Sequence, residues 1–177
     1  MGFTLVLGGA RSGKSDLAYR LARDSGRTVT VIATATAGDA EMTERIARHR
    51  AARPRDWSTV EEPLELSRAV LSAAVDSFVV LDCLTLWVSN LLGEGGTEAA
   101  TTALAITLAD ELVHRHGVVV SNEVGLGIVP ANELARSFRD ALGRVNAAFA
   151  ERAERSVLMV AGRALELASP VAVRPSE

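Results

Sequence analysis

The sequence predicts an α/β fold, a mostly parallel sheet with helices on both faces, and three observations carry that expectation. Five short runs rich in β-branched residues recur along the chain. Each is apolar nearly throughout instead of alternating, as a strand covered on both faces must be. Stretches with helical spacing separate them, and alternating strand and helix make a parallel sheet with helical crossovers.

The elements follow in order. Residues 4–7 form the first strand and lead through a glycine-rich turn into a helix after Lys14, striped by Leu17, Ala18, Leu21 and Ala22. Residues 28–33 form the second strand, with a helix following over about residues 41–52. Pro63 suits a first helical turn and opens a third helix. Residues 78–81 form the third strand, with helices after Asp82 and after Thr97, the latter two parted by a loop at residues 93–96. Residues 118–120 form the fourth strand. After Pro130 a long helix begins near Ala131 and carries Leu134, Phe138, Leu142, Val145 and Phe149. Residues 157–160 form the fifth strand, and the tail after Pro170 reads as loosely ordered or as an edge piece. No repeat or linker interrupts the chain, so residues 1–177 form one domain.

Composition narrows the function. A chain of 177 residues, 48% hydrophobic, buries roughly 70% of its extended-chain surface and is globular rather than disordered. The net charge is −3 and the basic residues are scattered, which argues against a nucleic-acid-binding face. The single cysteine, Cys83, permits no internal disulfide and fits the cytoplasm. No basic stretch with an apolar signal core opens the chain, and no apolar run approaches the ~20 residues of a membrane span. The longest apolar helix candidate, residues 102–112, is broken by Asp110 and Glu111.

The strongest motif is Gly8-Gly9-Ala10-Arg11-Ser12-Gly13-Lys14-Ser15, a full match to G-x-x-x-x-G-K-[ST] between a strand and a helix. Gly8 and Gly13 let the backbone turn its N–H groups around phosphate oxygens, and the helix N-terminus adds its positive end. Lys14 is placed to bridge the terminal phosphates, and the Ser15 hydroxyl to ligate Mg²⁺. A carboxylate at the end of a hydrophobic strand completes such a site, and residues 78–82 end on Asp82. Asp82 also stands where it can cap the following helix. The motif predicts a P-loop protein that binds ATP or GTP, and leaves open a small-molecule kinase, a motor, a switch GTPase or a nucleotide-controlled binding module. The guanine signature Asn-Lys-x-Asp of switch GTPases is absent, and the chain is short for a motor.

A second segment spans residues 39–49. Met42, Ile46 and His49 share one helix face at i, i+4 and i+7, with arginines at 45, 48, 50 and 53. Spacing alone reads His49 as a core histidine on a buried face. A neutral imidazole, whose unperturbed pKa is about 6.5, is also a nucleophile toward phosphorus, with arginines to offset phosphate charge.

These pieces, taken together, resemble the bifunctional adenosylcobinamide kinase / adenosylcobinamide-phosphate guanylyltransferase family of cobalamin biosynthesis. The match runs from Gly8-Gly9-Ala10-Arg11-Ser12-Gly13-Lys14-Ser15 through Ile32-Ala33-Thr34, Glu41-Met42, Arg45-Ile46, His49, Arg53-Pro54, Trp57 and Glu61. It continues with Asp82, Leu84-Thr85, Asn90-Leu91-Leu92, Ser121-Asn122-Glu123-Val124-Gly125-Leu126-Gly127-Ile128-Val129-Pro130, Arg139-Asp140, Gly143-Arg144-Val145-Asn146 and Ala161-Gly162. The resemblance implies a RecA-like P-loop fold, a homotrimer and two reactions. The first moves the γ-phosphoryl of ATP or GTP to adenosylcobinamide. The second transfers GMP from GTP to adenosylcobinamide-phosphate through a guanylyl-histidine at His49. It also implies nucleotide contacts at Ala33, Thr34 and Ala35, at Arg50, Ala51, Ala52 and Arg53, and at Glu61 and Asp82, beside the P-loop.

Other residues keep two readings. Thr34 and Ala35 end a strand, where open α/β sheets bind ligands or simply turn. Glu61 precedes a helix, where an acid also favours the dipole. Asn122 and Glu123 either act on metal or acceptor, or brace the glycine-rich loop. His114 and His116, two apart on a helix, point apart and share no metal. Trp57 and Trp87 read as packing residues, and Cys83 as inert core.

Overall fold

The computed structural model describes residues 1–169, so the expected tail lies outside the described residues. The chain runs β1 (Gly2–Gly8), α1 (Lys14–Asp24), β2 (Val29–Ala33), α2 (Ala40–Ala51), β3 (Ser58–Glu61), α3 (Leu66–Ser72) and β4 (Phe78–Asp82). It continues with α4 (Leu84–Gly93), α5 (Glu98–Leu112), β5 (His116–Val120), α6 (Glu133–Arg152), β6 (Arg155–Val160) and β7 (Arg163–Leu167). The sheet order is β3-β2-β4-β5-β1-β6-β7, parallel except for β7, which pairs antiparallel with β6.

The continuous apolar runs bury both strand faces. Leu5, Leu7, Ile32, Val79, Leu81 and Val119 meet α3, α4, α5 and α6 through Leu66, Val70, Trp87, Leu108, Leu142 and Phe149. Their alternates Val6, Val31, Val80, Val118 and Val120 meet Ala18, Tyr19 and Ala22 of α1. All five expected strands form. The edge strands β3 and β7 escape the apolar-run criterion, because only Val60 of β3 packs on the core and all of β7 is exposed.

Three local expectations change. Leu134 begins the stripe of α6 but is 75% exposed, since the helix meets the core only from Phe138 onward. Helix α5 stops at Leu112, so His114 lies in the turn and His116 opens β5, not a helix end. Asp82 does not cap α4: Cys83 is the N-cap residue, with no side-chain cap bond.

Five parallel neighbours end at one edge, which brings Gly8, Ala33, Glu61, Asp82 and Val120 to the same side of the sheet. That edge is where an open parallel sheet takes ligands.

Candidate active site

The glycine-rich loop leaves β1 and closes on itself at α1. Gly8 is required by close approach: a Cβ there meets the Met159 carbonyl oxygen at 2.5 Å and Ser12 Oγ at 2.7 Å. Lys14 is buried, and its Nζ donates to the Gly8 and Gly9 carbonyl oxygens at 2.9 and 2.6 Å. Burial holds its pKa below the ordinary lysine value, and the Asp82 carboxylate opposes that shift. Two further elements pin the loop. Gly162 N–H donates to the Ser12 carbonyl at 3.0 Å, and Glu123 N–H to the Gly8 carbonyl at 3.1 Å.

At the same side of the sheet lies a cleft of about 60 Å³, lined by Ala33, Ala35, Met42, Arg45, Ile46, His49, Arg53, Glu61, Asp82, Cys83 and Leu86. Helix α2 forms one wall. Asp39 caps it by accepting from Met42 N–H at 2.7 Å, and Glu41 and the basic last turn suit its dipole. Its least exposed residues are Met42, Ile46 and His49, the face that the spacing predicts. The face is not core, however: α2 has no buried residue, and this stripe lines the cleft. His49 Nδ1 lies 3.6 Å from Asp82 Oδ2, with the imidazole 35% and the carboxylate 13% exposed. His49 thus has no place among core histidines. Arg45 and Arg53, four residues to either side, line the same cleft.

The other expected residues divide. Ala33, Ala35, Arg53 and Glu61 line the cleft. Arg50 pairs with Glu61 outside the lining, and Ala51 and Ala52 are exposed at the end of α2. Thr34 is fully buried and its hydroxyl is committed: Oγ1 donates to the Cys83 carbonyl at 2.8 Å and accepts from Cys83 N–H at 2.9 Å. Thr34 therefore shapes the floor under Asp82 instead of presenting a polar group. Asn122 N–H donates to Thr85 Oγ1 at 2.7 Å, and its carbonyl accepts from Asn146 Nδ2 at 3.0 Å. Glu123 Oε1 accepts from Gly125 N–H at 2.5 Å, so both residues brace the loop. Cys83 borders the cleft, but burial and the Asp82 charge push its thiol up to about 11, leaving it protonated. Trp87 is core, and Trp57 packs edge-on to Tyr19 at 5.6 Å.

Sequence reading missed Tyr19. It is buried on α1, its hydroxyl accepts from Arg53 Nε at 3.3 Å, and burial raises its pKa, with Asp82 adding to the shift. The available signal was spacing, because Tyr19 follows Ala18 and falls three residues before Ala22 on the buried side of α1.

Mg²⁺ fits the residues present. The half-buried Ser15 hydroxyl and the Asp82 carboxylate are hard oxygen donors, and Mg²⁺ takes one or two protein ligands together with substrate phosphates. No helix among the described residues is long and apolar enough to cross a membrane.

The family model described as "Cobinamide kinase / cobinamide phosphate guanyltransferase" matches residues 4–167. A Pseudomonas aeruginosa protein named bifunctional adenosylcobalamin biosynthesis protein CobP is 49% identical over 171 residues, spanning 92% of this chain and 95% of that one. The Salmonella typhimurium bifunctional adenosylcobalamin biosynthesis protein CobU is 40% identical over 173 residues, spanning 89% and 95%. In fold, the chain is similar to the RadB recombinase, with a TM-score of 0.52 at 18% identity over 89% of this chain and 73% of that one.

Proposed function

The chain belongs to the cobinamide kinase / cobinamide phosphate guanyltransferase family, and we propose that it performs both reactions around one carboxylate, Asp82. The observation that supports this is placement: Asp82 faces His49 at 3.6 Å and its charge reaches Lys14. The enzyme is a bifunctional transferase of adenosylcobalamin biosynthesis. In the kinase step the acceptor hydroxyl oxygen of adenosylcobinamide attacks the γ-phosphorus of ATP or GTP. The bond to the β–γ bridging oxygen breaks, the nucleoside diphosphate leaves, and the hydroxyl proton is released. Lys14 and the inward N–H groups of residues 8–15 hold the phosphates, and an entering phosphate takes over the Lys14 donors that now serve Gly8 and Gly9. Mg²⁺, held by Ser15 and Asp82, would neutralise charge on the phosphate oxygens when bound.

In the transfer step His49 attacks the α-phosphorus of GTP. A P–N bond forms, the P–O bond to pyrophosphate breaks, and pyrophosphate leaves with the electron pair. A phosphate oxygen of adenosylcobinamide-phosphate then attacks the same phosphorus, and the imidazole departs. Asp82 lies on the Nδ1 side at 3.6 Å, which leaves Nε2 as the nitrogen to meet phosphorus. Arg45 and Arg53 offset the charge that builds on the phosphates, and Tyr19 steadies Arg53. Ala33, Thr34, Ala35, Arg50, Ala51, Ala52 and Glu61 frame the rest of the nucleotide. The reading includes a homotrimer working in the cytoplasm, and sedimentation equilibrium tests the trimer.

The deciding experiment incubates the protein with α-labelled GTP and Mg²⁺, denatures it and follows retained label. A phosphoramidate gives label that survives alkali and is lost in acid, and the His49→Asn variant carries none. Label retained by folded His49→Asn places the nucleophile elsewhere.

A further inference from the structure

We propose that Asn90 is a positioning residue for the nucleotide: its side-chain amide locks the ends of β2 and β3 together and, through Thr34, holds the backbone of Asp82. The proposal rests on the function above, which assigns Ala33, Ala35, Glu61 and Asp82 to the nucleotide, and it names what keeps them in place.

The first observation is the amide itself. Asn90 is half-buried on α4. Its Nδ2 donates to the Thr34 carbonyl at 2.9 Å and to the Pro63 carbonyl at 3.1 Å. Both neighbours are acceptors, so the nitrogen and not the oxygen must face them, and two hydrogens meet two carbonyls. Thr34 directly follows β2, and Pro63 stands two residues beyond Glu61, the end of β3. Between them, Glu62 N–H donates to the Ala33 carbonyl at 3.0 Å. One side chain of α4 thus joins two strand ends. Asn is a weak helix former, so α4 itself gains nothing from it.

The second observation is where that hold leads. Thr34 N–H donates to the Asp82 carbonyl at 3.1 Å. Its hydroxyl donates to the Cys83 carbonyl and accepts from Cys83 N–H. Every polar atom of Thr34 is therefore committed, its carbonyl to Asn90 and the rest to Asp82 and Cys83. Asp82 carries its carboxylate 3.6 Å from His49 on a backbone fixed by Thr34, which Asn90 fixes in turn. Asn90 stands outside the cleft lining and acts through the strand ends that it joins.

The third observation is a matching tie at the opposite edge of the sheet. Arg115, just before β5, also donates from one nitrogen to two carbonyls, those of Ala73 and Ala74, each at 2.8 Å. That tie joins the segments leading into β4 and β5, away from every residue assigned to the nucleotide. It separates the effect of losing such a tie from the effect of losing it at the strand ends.

The test uses the full chain with Mg²⁺ and a GTP analogue carrying a methylene group between the α and β phosphorus atoms, which cannot give up GMP. Wild type is compared with Asn90→Ala, Asn90→Asp and the control Arg115→Met, by calorimetry well below each Tm and by hydrogen exchange. Asn90→Asp keeps the shape of the side chain and loses both donors, so it carries the test should Asn90→Ala not fold. Both Asn90 variants are expected to raise the analogue Kd about tenfold, the scale of one neutral hydrogen bond. They should also quicken exchange at the Thr34 and Cys83 amides. Arg115→Met should lower the Tm and leave the Kd and those two amides as in wild type. An unchanged Kd in a folded Asn90 variant overturns the proposal even if exchange quickens, because the amide then braces the fold alone. So does an equal rise in Kd in Arg115→Met, which makes the loss one of general stability. Wild type that binds the analogue yet transfers neither phosphoryl nor GMP from GTP fails the function reading alone, and the ratio of Kd values still decides the positioning.

Discussion

The phosphate cradle follows β1 and the histidine helix follows β2, and the two are built in opposite ways. The cradle is buried and pinned: Lys14 is 8% exposed, β6 presses on Gly8, and backbone bonds from Glu123 and Gly162 hold the loop from both sides. Helix α2 has no buried residue at all, and the ties of its last turn to the sheet side are side-chain contacts such as the Arg50–Glu61 pair. The difference follows the chemistry. Both reactions need phosphates held in one geometry, where small displacements are costly. Only one of the proposed reactions needs a covalent carrier, and in that proposal His49 meets first the nucleotide and then a second substrate.

The largest test of this contrast is the activity split. His49→Asn should abolish guanylylation and covalent label while phosphorylation of adenosylcobinamide stays within about threefold of wild type, since imidazole has no part in that step. Equal loss of both activities with a lowered Tm would make His49 structural. Lys14→Ala should act on both reactions, lowering each kcat/KM by about 10²–10³, the effect of losing a preorganised charged donor. Wild-type turnover in either reaction would remove Lys14 from the shared cradle.

A smaller effect tests whether the cradle is held from outside. Gly162 sits in the β6–β7 turn at φ 75, a left-handed conformation that strains branched side chains, and its N–H holds Ser12. Gly162→Val should raise the nucleotide KM in both reactions about tenfold, while Gly162→Asn, which tolerates that conformation, should stay near wild type. Steady-state kinetics of the two variants with ATP decide it. A Gly162→Val protein with lowered Tm but unchanged nucleotide KM would reduce the turn to a structural role.

The same contrast explains what was readable in the sequence. The cradle lies within eight consecutive residues, so strand, motif and helix declare it locally, and Asp82 follows from the buried run before it. The face of α2 was legible from spacing, but not that it lines a cleft, because a stripe of Met42, Ile46 and His49 looks alike against core or ligand. Contacts between distant residues left no mark. Tyr19 and Arg53 are 34 positions apart, and Thr34 spends its hydroxyl on Cys83, 49 positions away, a bond that its strand-end position does not announce. Strand β7, Arg-Ala-Leu-Glu-Leu, is made largely of helix formers, and only pairing with β6 makes it a strand.

The smallest predicted effect concerns how α2 is held. Arg50 and Glu61 are 59% and 53% exposed, and an ion pair that open is worth at most about 1 kcal/mol. Arg50→Ala should therefore lower the Tm by no more than about 2–4 °C for a chain of this size. Its local consequence should be easier to see, because the pair joins the last turn of α2 to the end of β3. Hydrogen exchange should quicken over residues 40–51 and stay unchanged over residues 14–24, where Ala18, Tyr19 and Ala22 are buried. Raising the salt concentration should quicken α2 exchange in wild type and narrow its difference from the variant, since exposed charges are screened. Glu61→Gln should do the same as Arg50→Ala, and the double variant should add little, as expected for one shared interaction. Wild-type α2 amides as protected as those of α1 would break the comparison, because a helix without buried residues would then be as firmly held as the cradle.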